Sequence, residues 1–141
     1  MGPVGEQKTK PTQHTVKELM GLGITPDVLV CRSSKPLNDE TRQKLSAFCH
    51  VRPEAVFSTH DVPNIYHVPL MLEEQGFCDI LDIDCDKTGL LAEWRSMAHR
   101  LDELTEEVNI AMVGKYTDLS DAYLSVIKSL QHAALAVERK L

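Results

Sequence analysis

The chain has 141 residues and 15.8 kDa, with 15 Lys and Arg against 21 Asp and Glu, a formal net charge of −6. That length suits one domain, and 43% hydrophobic residues can fill a core. The acidic balance argues against non-specific nucleic-acid binding. No run approaches the roughly 18 apolar residues of a membrane span, and no apolar region of a secretory signal opens the chain.

Met1-Gly2 invites a myristoylation reading, but Glu6 stands where that motif wants Ser or Thr. Charge is uneven along the chain. Residues 1–50 hold 7 basic and 5 acidic side chains, residues 51–107 hold 4 and 13, and residues 108–141 hold 4 and 3. Three regions with an acidic middle follow from this.

A polar loop runs from Gly5 to Gln13. Thr15 and Glu18 have capping-box spacing, which predicts a short helix over 16–21. The Gly21/Gly23 pair should end it, because glycine takes a left-handed conformation at no steric cost. The apolar run at 27–31 suits a strand buried on both faces. Asn38 or Asp39 can cap a helix over 39–49, with Thr41, Leu45 and Phe48 on its buried face. Ala55 to Ser58 reads as a second short strand. Pro69 fits a first helical turn, opening a helix through Leu70, Leu72 and Glu73 to Gly76.

In the middle region Leu90, Trp94, Met97, Leu101 and Leu104 recur at spacings of 4, 3, 4 and 3, one apolar stripe on a charged helix. Val108 to Val113 is apolar and β-prone apart from Asn109, which predicts a strand, and Gly114 closes it. A polar turn then leads to a helix with Ala122, Tyr123, Val126, Ile127, Leu130 and Ala133 on one side. Alternating strands and helices make the fold class α/β.

Cys31, Cys49, Cys78 and Cys85 show neither C-x-x-C nor zinc-ligand spacing with a histidine. They read as small buried apolar side chains in a reducing compartment. Asp82, Asp84, Asp86 and Glu93 match positions 1, 3, 5 and 12 of a calcium-binding EF-hand loop. Lys87 sits where that loop needs glycine, and Gly89 where it wants an apolar residue. An acidic linker capping the next helix is the better account. His14, His50, His60, His67, His99 and His132 form no H-x-x-x-H pair, and no serine sits in a nucleophile elbow. Considered by themselves, these residues hold no complete catalytic machinery.

The segment richest in chemistry is Lys8-Thr9-Lys10-Pro11-Thr12-Gln13. Two ammonium groups, two hydroxyls and an amide share a proline-stiffened loop just before a helix N-terminus. All of them can engage phosphate oxygens. The alternative is a solvated basic loop, since the glycines of a Walker A motif are missing.

Gly5-Glu6-Gln7-Lys8-Thr9-Lys10-Pro11-Thr12-Gln13-His14, continued by Val16-Lys17-Glu18-Leu19, resembles the CTP synthase family. So do Pro26-Asp27 through Cys31-Arg32-Ser33, Phe48-Cys49, His60-Asp61-Val62 with Ile65-Tyr66 and Pro69, Gly114-Lys115-Tyr116, Asp121-Ala122-Tyr123 and Ser125-Val126-Ile127. The likeness covers nearly the whole chain and is weakest over 79–107.

The resemblance implies an ATP-dependent amidoligase that converts UTP to CTP with ammonia from glutamine. Lys8, Thr9, Lys10, Pro11, Thr12 and Gln13 would hold the triphosphate of UTP, or of CTP as inhibitor, and Lys44 would contact the same nucleotide. His60, Asp61 and Val62 would line the adenine of ATP. His60 replaces a lysine common in bacterial members, so backbone contacts would carry that match. The implied architecture is the C-terminal part of a Rossmann-like, P-loop-type amidoligase domain over 1–78, an acidic helical linker over 79–107, and the first β-α unit of a class I glutamine amidotransferase domain over 108–141.

No metal ligand is expected in this chain. Mg2+ would join ATP in the longer enzyme, and GTP would activate it. Homotetramers, filaments and a cytosolic location are implied, with no nucleic-acid or membrane partner. The chain is expected to be a slice that starts and stops inside domains and is inactive alone. The competing reading is a short non-catalytic product that binds nucleotide or joins full-length subunits as an interaction module.

Overall fold

A computed structural model describes residues 7–85 and 89–141, with the side chain of Leu90 also outside the described set. The myristoylation reading at Met1-Gly2 and Glu6, the Gly5 start of the polar loop, and the Asp86 and Lys87 positions of the calcium-loop pattern therefore fall outside it. The chain divides into two units, one ending at Leu91 and the other starting at Ala92.

The first unit starts with α1, Lys10–Gly21, which takes up much of the expected polar loop. Pro11 sits in its first turn, where the missing N–H costs nothing, and this starts the helix before the predicted capping box. Thr15 is consequently inside the helix, its hydroxyl donating to the Pro11 carbonyl at 3.0 Å. The predicted end holds: Gly23 adopts φ 80 and donates its N–H to the Met20 carbonyl at 2.9 Å.

Strand β1, Leu29–Ser33, and strand β2, Val56–His60, pair in parallel, in register from Leu29 opposite Val56 to Ser33 opposite His60. Parallel strands need a crossover, and α2, Asp39–Cys49, supplies it. Asn38 is its cap, accepting from the Thr41 N–H at 2.7 Å. This much is a mixed α/β arrangement on a small parallel sheet.

The two strands differ in burial. Val56, Phe57 and Ser58 are all buried, whereas β1 buries Leu29 and leaves Val30 50% exposed. The expectation of a first strand covered on both faces is thus corrected: this unit packs one face of β1. On α2 the buried side chains are Thr41, Leu45 and Cys49, one turn apart, and Phe48 points outward at 60% exposure. Val16, Leu29, Leu45, Cys49, Val51, Ala55 and Val56 make one core cluster.

Two short helices, α3 (Val68–Glu74) and α4 (Phe77–Ile80), follow β2. Pro69 is in the first turn of α3, as its position predicts. Gly76, at φ 80, ends α3 and opens α4. The Phe77 ring then meets Phe57 edge-on, centroids 5.1 Å apart. Cys78 and Cys85 are joined by a disulfide, against the expectation that all four cysteines are thiols. Cys31 and Cys49 remain free.

α5, Leu90–Glu103, forms as its stripe predicts and leads into the second unit. Its fully buried residue there is Ala98, while Met97, Leu101 and Leu104 are half-buried and Trp94 is exposed. The predicted strand at 108–113 does not form. Its segment makes one parallel bridge, Glu107 to Lys140, where the Val108 N–H donates to the Lys140 carbonyl at 2.8 Å. A parallel strand is held by ladder bonds to neighbours, and the segment beyond Val108 finds none among the described residues, so Val113 stays 96% exposed.

A 3-10 turn at Ser120–Tyr123 precedes α6, Leu124–Ala136. Ala134 and Leu135 are buried on α6. Of the expected face, Tyr123, Ile127 and Leu130 are half-buried, and Ala122, Val126 and Ala133 are exposed. Among the described residues no helix is long and apolar enough to cross a membrane.

Candidate functional site

In a parallel sheet, ligands collect at the carboxyl ends of the strands. Here those ends are Ser33 and His60, and a cavity opens at each. Their walls are built from the N-terminus of α1 and the loops leaving β1 and β2.

The first cavity, of about 560 Å3, is lined by Gln7, Lys8, Thr12, Cys31 to Asn38, Thr41 and Leu45. Lys8, Arg32 and Lys35 bring three cations to it, and no carboxylate appears among the described lining residues. Hydroxyls of Thr12, Ser33, Ser34 and Thr41 and the amide of Asn38 complete a set suited to phosphate oxygens. The start of α1 adds partial positive charge from unpaired backbone N–H groups.

The loop forming this wall is held at three points. The Gln7 side chain donates to the Pro36 carbonyl at 2.8 Å and accepts from the Asn38 N–H at 3.1 Å. Ser33 Oγ donates to the Lys35 carbonyl at 2.7 Å. The Leu37 N–H donates to Ser58 Oγ, buried on β2, at 3.0 Å. These bonds fix Lys35 and Asn38 relative to Lys8 without using a cationic side chain.

The sequence-derived candidates divide in this geometry. Lys8 and Thr12 line the cavity. Thr9 is buried and Gln13 half-buried, and Gln13 Nε2 donates to Thr9 Oγ1 at 3.0 Å, so this pair stabilises the helix start. Lys10 and Pro11 are exposed and outside the lining. Lys44 is exposed on α2, three residues beyond Thr41. The predicted loop is therefore largely a helical turn, which separates neighbouring side chains by about 100° instead of fanning them around one ligand.

Arg32, Ser33, Ser34, Lys35 and Asn38 were not among the candidates. Their signal was available, since Arg32-Ser33 closes an apolar run that reads as a parallel strand.

The second cavity, of about 480 Å3, is lined by Arg32, Thr59, His60, Asp61, Val62, Ile65 and Val68. It gathers the consecutive residues His60, Asp61 and Val62. His60 Nδ1 is buried without a hydrogen-bond partner, and Val62, Ile65 and Val68 give apolar walls. A flat heteroaromatic ring carrying a hydrogen-bonding edge fits that donor set. Arg32 borders both cavities, and its guanidinium meets the Asp61 carboxylate at 3.4 Å. Both groups are solvent-exposed, so the pair adds little stability and Arg32 is free to exchange one anion for another.

Burial pushes the Cys31 thiol up from its ordinary value, with Cys49 adding to the shift and Arg42 opposing it. Burial likewise raises Cys49. Both are therefore protonated near neutrality, and neither is an activated nucleophile.

Comparison with known proteins places the chain in a family. The family described as CTP synthase N-terminus matches residues 1–84. CTP synthase 1 of Homo sapiens is 54% identical over 143 residues, covering 97% of this chain and 24% of that protein. CTP synthase of Drosophila melanogaster is 52% identical over 144 residues, covering 97% and 23%. CTP synthase of Dictyostelium discoideum is 47% identical over 160 residues, covering 100% and 28%. The chain thus spans roughly a quarter of the length of these relatives. With the family match extending over more than half of its residues, and relatives alike across nearly all of it, the chain belongs to the CTP synthase family.

Proposed function

We propose that this chain supplies part of the nucleotide-binding surface of an ATP-dependent ligase that aminates UTP to CTP with ammonia from glutamine. The observation that carries the reading is the cavity beside the α1 N-terminus, with three cations and no described carboxylate in its lining. Lys8, Arg32, Lys35 and Thr12 bind the triphosphate of UTP, or of CTP as inhibitor. Exposed Lys44 contacts the same nucleotide from α2, and Thr9, Lys10, Pro11 and Gln13 shape the helix start. The His60, Asp61 and Val62 cavity takes the adenine of ATP, which when bound supplies the phosphoryl group that activates the uracil oxygen.

The described lining of the first cavity holds no carboxylate, and the reading places the Mg2+ ligands elsewhere in the longer enzyme. In this reading residues 1–78 are the C-terminal part of a Rossmann-like amidoligase domain, 79–107 a linker, and 108–141 the start of a class I glutaminase domain. GTP activation, homotetramers, filaments and a cytosolic location belong to the same proposal. The 141 residues by themselves form no CTP.

Titration of the chain with UTP and CTP, followed calorimetrically and by 31P NMR, tests the site. Binding weakened about ten-fold in Lys8→Ala and in Arg32→Ala is expected; wild-type affinity in both variants sinks the reading. CTP formed from UTP, ATP and ammonium by the chain alone would contradict the claim of inactivity. A second reading, an interaction module joining full-length subunits, draws on the exposed Val30, Phe48 and Val113. Co-purification with full-length enzyme, abolished by Phe48→Glu, would favour it.

A further inference from the structure

The disulfide lies outside both cavities. Helix α4 is anchored in the first unit: Phe77 packs edge-on against Phe57, and Ile80 packs on the core cluster. The chain then turns back on it. Asp82 adopts φ 54, a left-handed conformation uncommon outside glycine, and the Ile83 N–H donates to the Cys78 carbonyl at 3.0 Å. This reversal brings the Cα atoms of Cys78 and Cys85 to 6.0 Å, within the span a disulfide bridges. The closed ring therefore holds the segment from Asp82 to Cys85 against an anchored helix.

The bond is open to small molecules. Cys78 and Cys85 line a cavity of about 800 Å3 with Glu73, Gly76, Asp79, Asp82, Ile83 and Asp84. Its described charged groups are all carboxylates. Cys49 is 1% exposed, and burial keeps both it and Cys31 in the thiol form, so neither competes for the exchange.

We propose that Cys78 and Cys85 form a reversible dithiol–disulfide couple that exchanges with small thiols, and that the carboxylates around it favour cationic thiols over anionic ones. In the forward direction a thiolate attacks one sulfur of the pair. The Cys78–Cys85 bond breaks, a mixed disulfide forms, and the released cysteine thiolate takes up a proton. A second thiolate attacks the external sulfur of that mixed disulfide, freeing the other cysteine, which is protonated in turn. Two small thiols are thereby oxidised to their disulfide, and the protein pair gains two electrons and two protons. Opening the ring frees Asp82 to Cys85 from α4; a low-molecular-weight disulfide closes it again by the reverse steps.

The experiment uses the 141-residue chain, oxidised with glutathione disulfide. It is reduced with cysteamine, 2-mercaptoethanol or 2-mercaptoethanesulfonate, each rate being referred to the same thiol acting on a simple uncharged disulfide. Differential alkylation and peptide mass spectrometry read each cysteine, with Cys31 and Cys49 as controls in the same chain. Cys78 and Cys85 are expected to be protected together and released together. The normalised rate for cysteamine should exceed that for the sulfonate by on the order of ten-fold at low salt, converging at 0.5 M salt as screening removes the field.

Alkylation of Cys78 and Cys85 in the oxidising buffer, or pairing of either with Cys31 or Cys49, overturns the couple. A rate ratio that ignores salt overturns the charge selectivity. Cys85→Ser provides a check that does not depend on the ring: it should accumulate glutathione on Cys78, and protease Asp-N should cut it at Asp82 and Asp84 as fast as the reduced chain and about ten times faster than the oxidised one. Cleavage equal in all three states sinks the claim that the bond holds this segment.

Discussion

The side-chain amide of Gln75 pairs with the backbone of Ser58 as a neighbouring strand would. The Ser58 N–H donates to Gln75 Oε1 at 2.9 Å, and Gln75 Nε2 donates to the Ser58 carbonyl at 2.9 Å. The same Nε2 also donates to the Met71 carbonyl at 2.8 Å, tying the end of α3 to the sheet. Ser58 Oγ in turn accepts from the Leu37 N–H, so one glutamine supports the wall of the cationic cavity from behind.

Gln75→Ala should therefore destabilise the first unit by about 2 kcal/mol, because both backbone groups of buried Ser58 lose their partners. Urea denaturation followed by circular dichroism measures this. A loss below about 0.5 kcal/mol would mean that water replaces the amide without cost.

In the cavity, Lys8→Ala should weaken UTP binding by about ten-fold, the magnitude of one charge-assisted hydrogen bond. Lys44→Ala should cost only about two-fold, since its exposed ammonium is outside the cavity lining and screened by solvent. Isothermal titration of both variants ranks them, and the reverse order would move the triphosphate out of this cavity toward α2.

His50 closes α2 at φ 57 and ψ 34, a left-handed conformation that a side chain adopts at a cost of about 1 kcal/mol. Its N–H donates back to the Ser46 carbonyl, so the conformation is fixed by the cap. His50→Gly should raise stability by about 0.5–1 kcal/mol, less than the full strain because glycine also loosens the unfolded chain. An unchanged or lower melting midpoint would show that the imidazole makes a compensating contact.

The raised thiols of Cys31 and Cys49 give a pH dependence whose sign is fixed. A thiol held above its ordinary value of 9.0 stays protonated in the folded chain while the unfolded chain has already ionised. The unfolded state then binds fewer protons, so stability is full below 9.0 and falls as pH rises above it. Thermal melts from pH 7 to pH 10.5 should show this decline, and it should shrink in Cys49→Ala compared with its own value at pH 7. An identical pH slope in that variant would assign the decline to other groups.

Local signals in the sequence were reliable where a single residue imposes the geometry. Pro11, Pro69, Gly23 and Gly76 bound helices because of their own backbone constraints, and Asn38 caps α2 through an amide three residues from its target. The period of α2 was legible too, but the choice of Cys49 over Phe48 as its buried edge depends on which face meets β1 and β2. The stripe on α5 likewise located the helix, whereas burial centred on Ala98.

By itself the sequence determined the family, the α/β class and the presence of a basic, phosphate-compatible segment, since these rest on residue identities and short-range constraints. Tertiary structure decided which members of that segment share a cavity. The first turn of α1 directs Thr12 toward the loop after β1, where Lys8 joins it from just before the helix, and leaves Lys10 outside; no composition records such a direction. It also decided that 108–113 is not a strand, because ladder bonds depend on neighbours and not on β propensity. The Cys78–Cys85 bond was decided there as well: a left-handed Asp82 brings two sulfurs together that spacing along the chain leaves undefined.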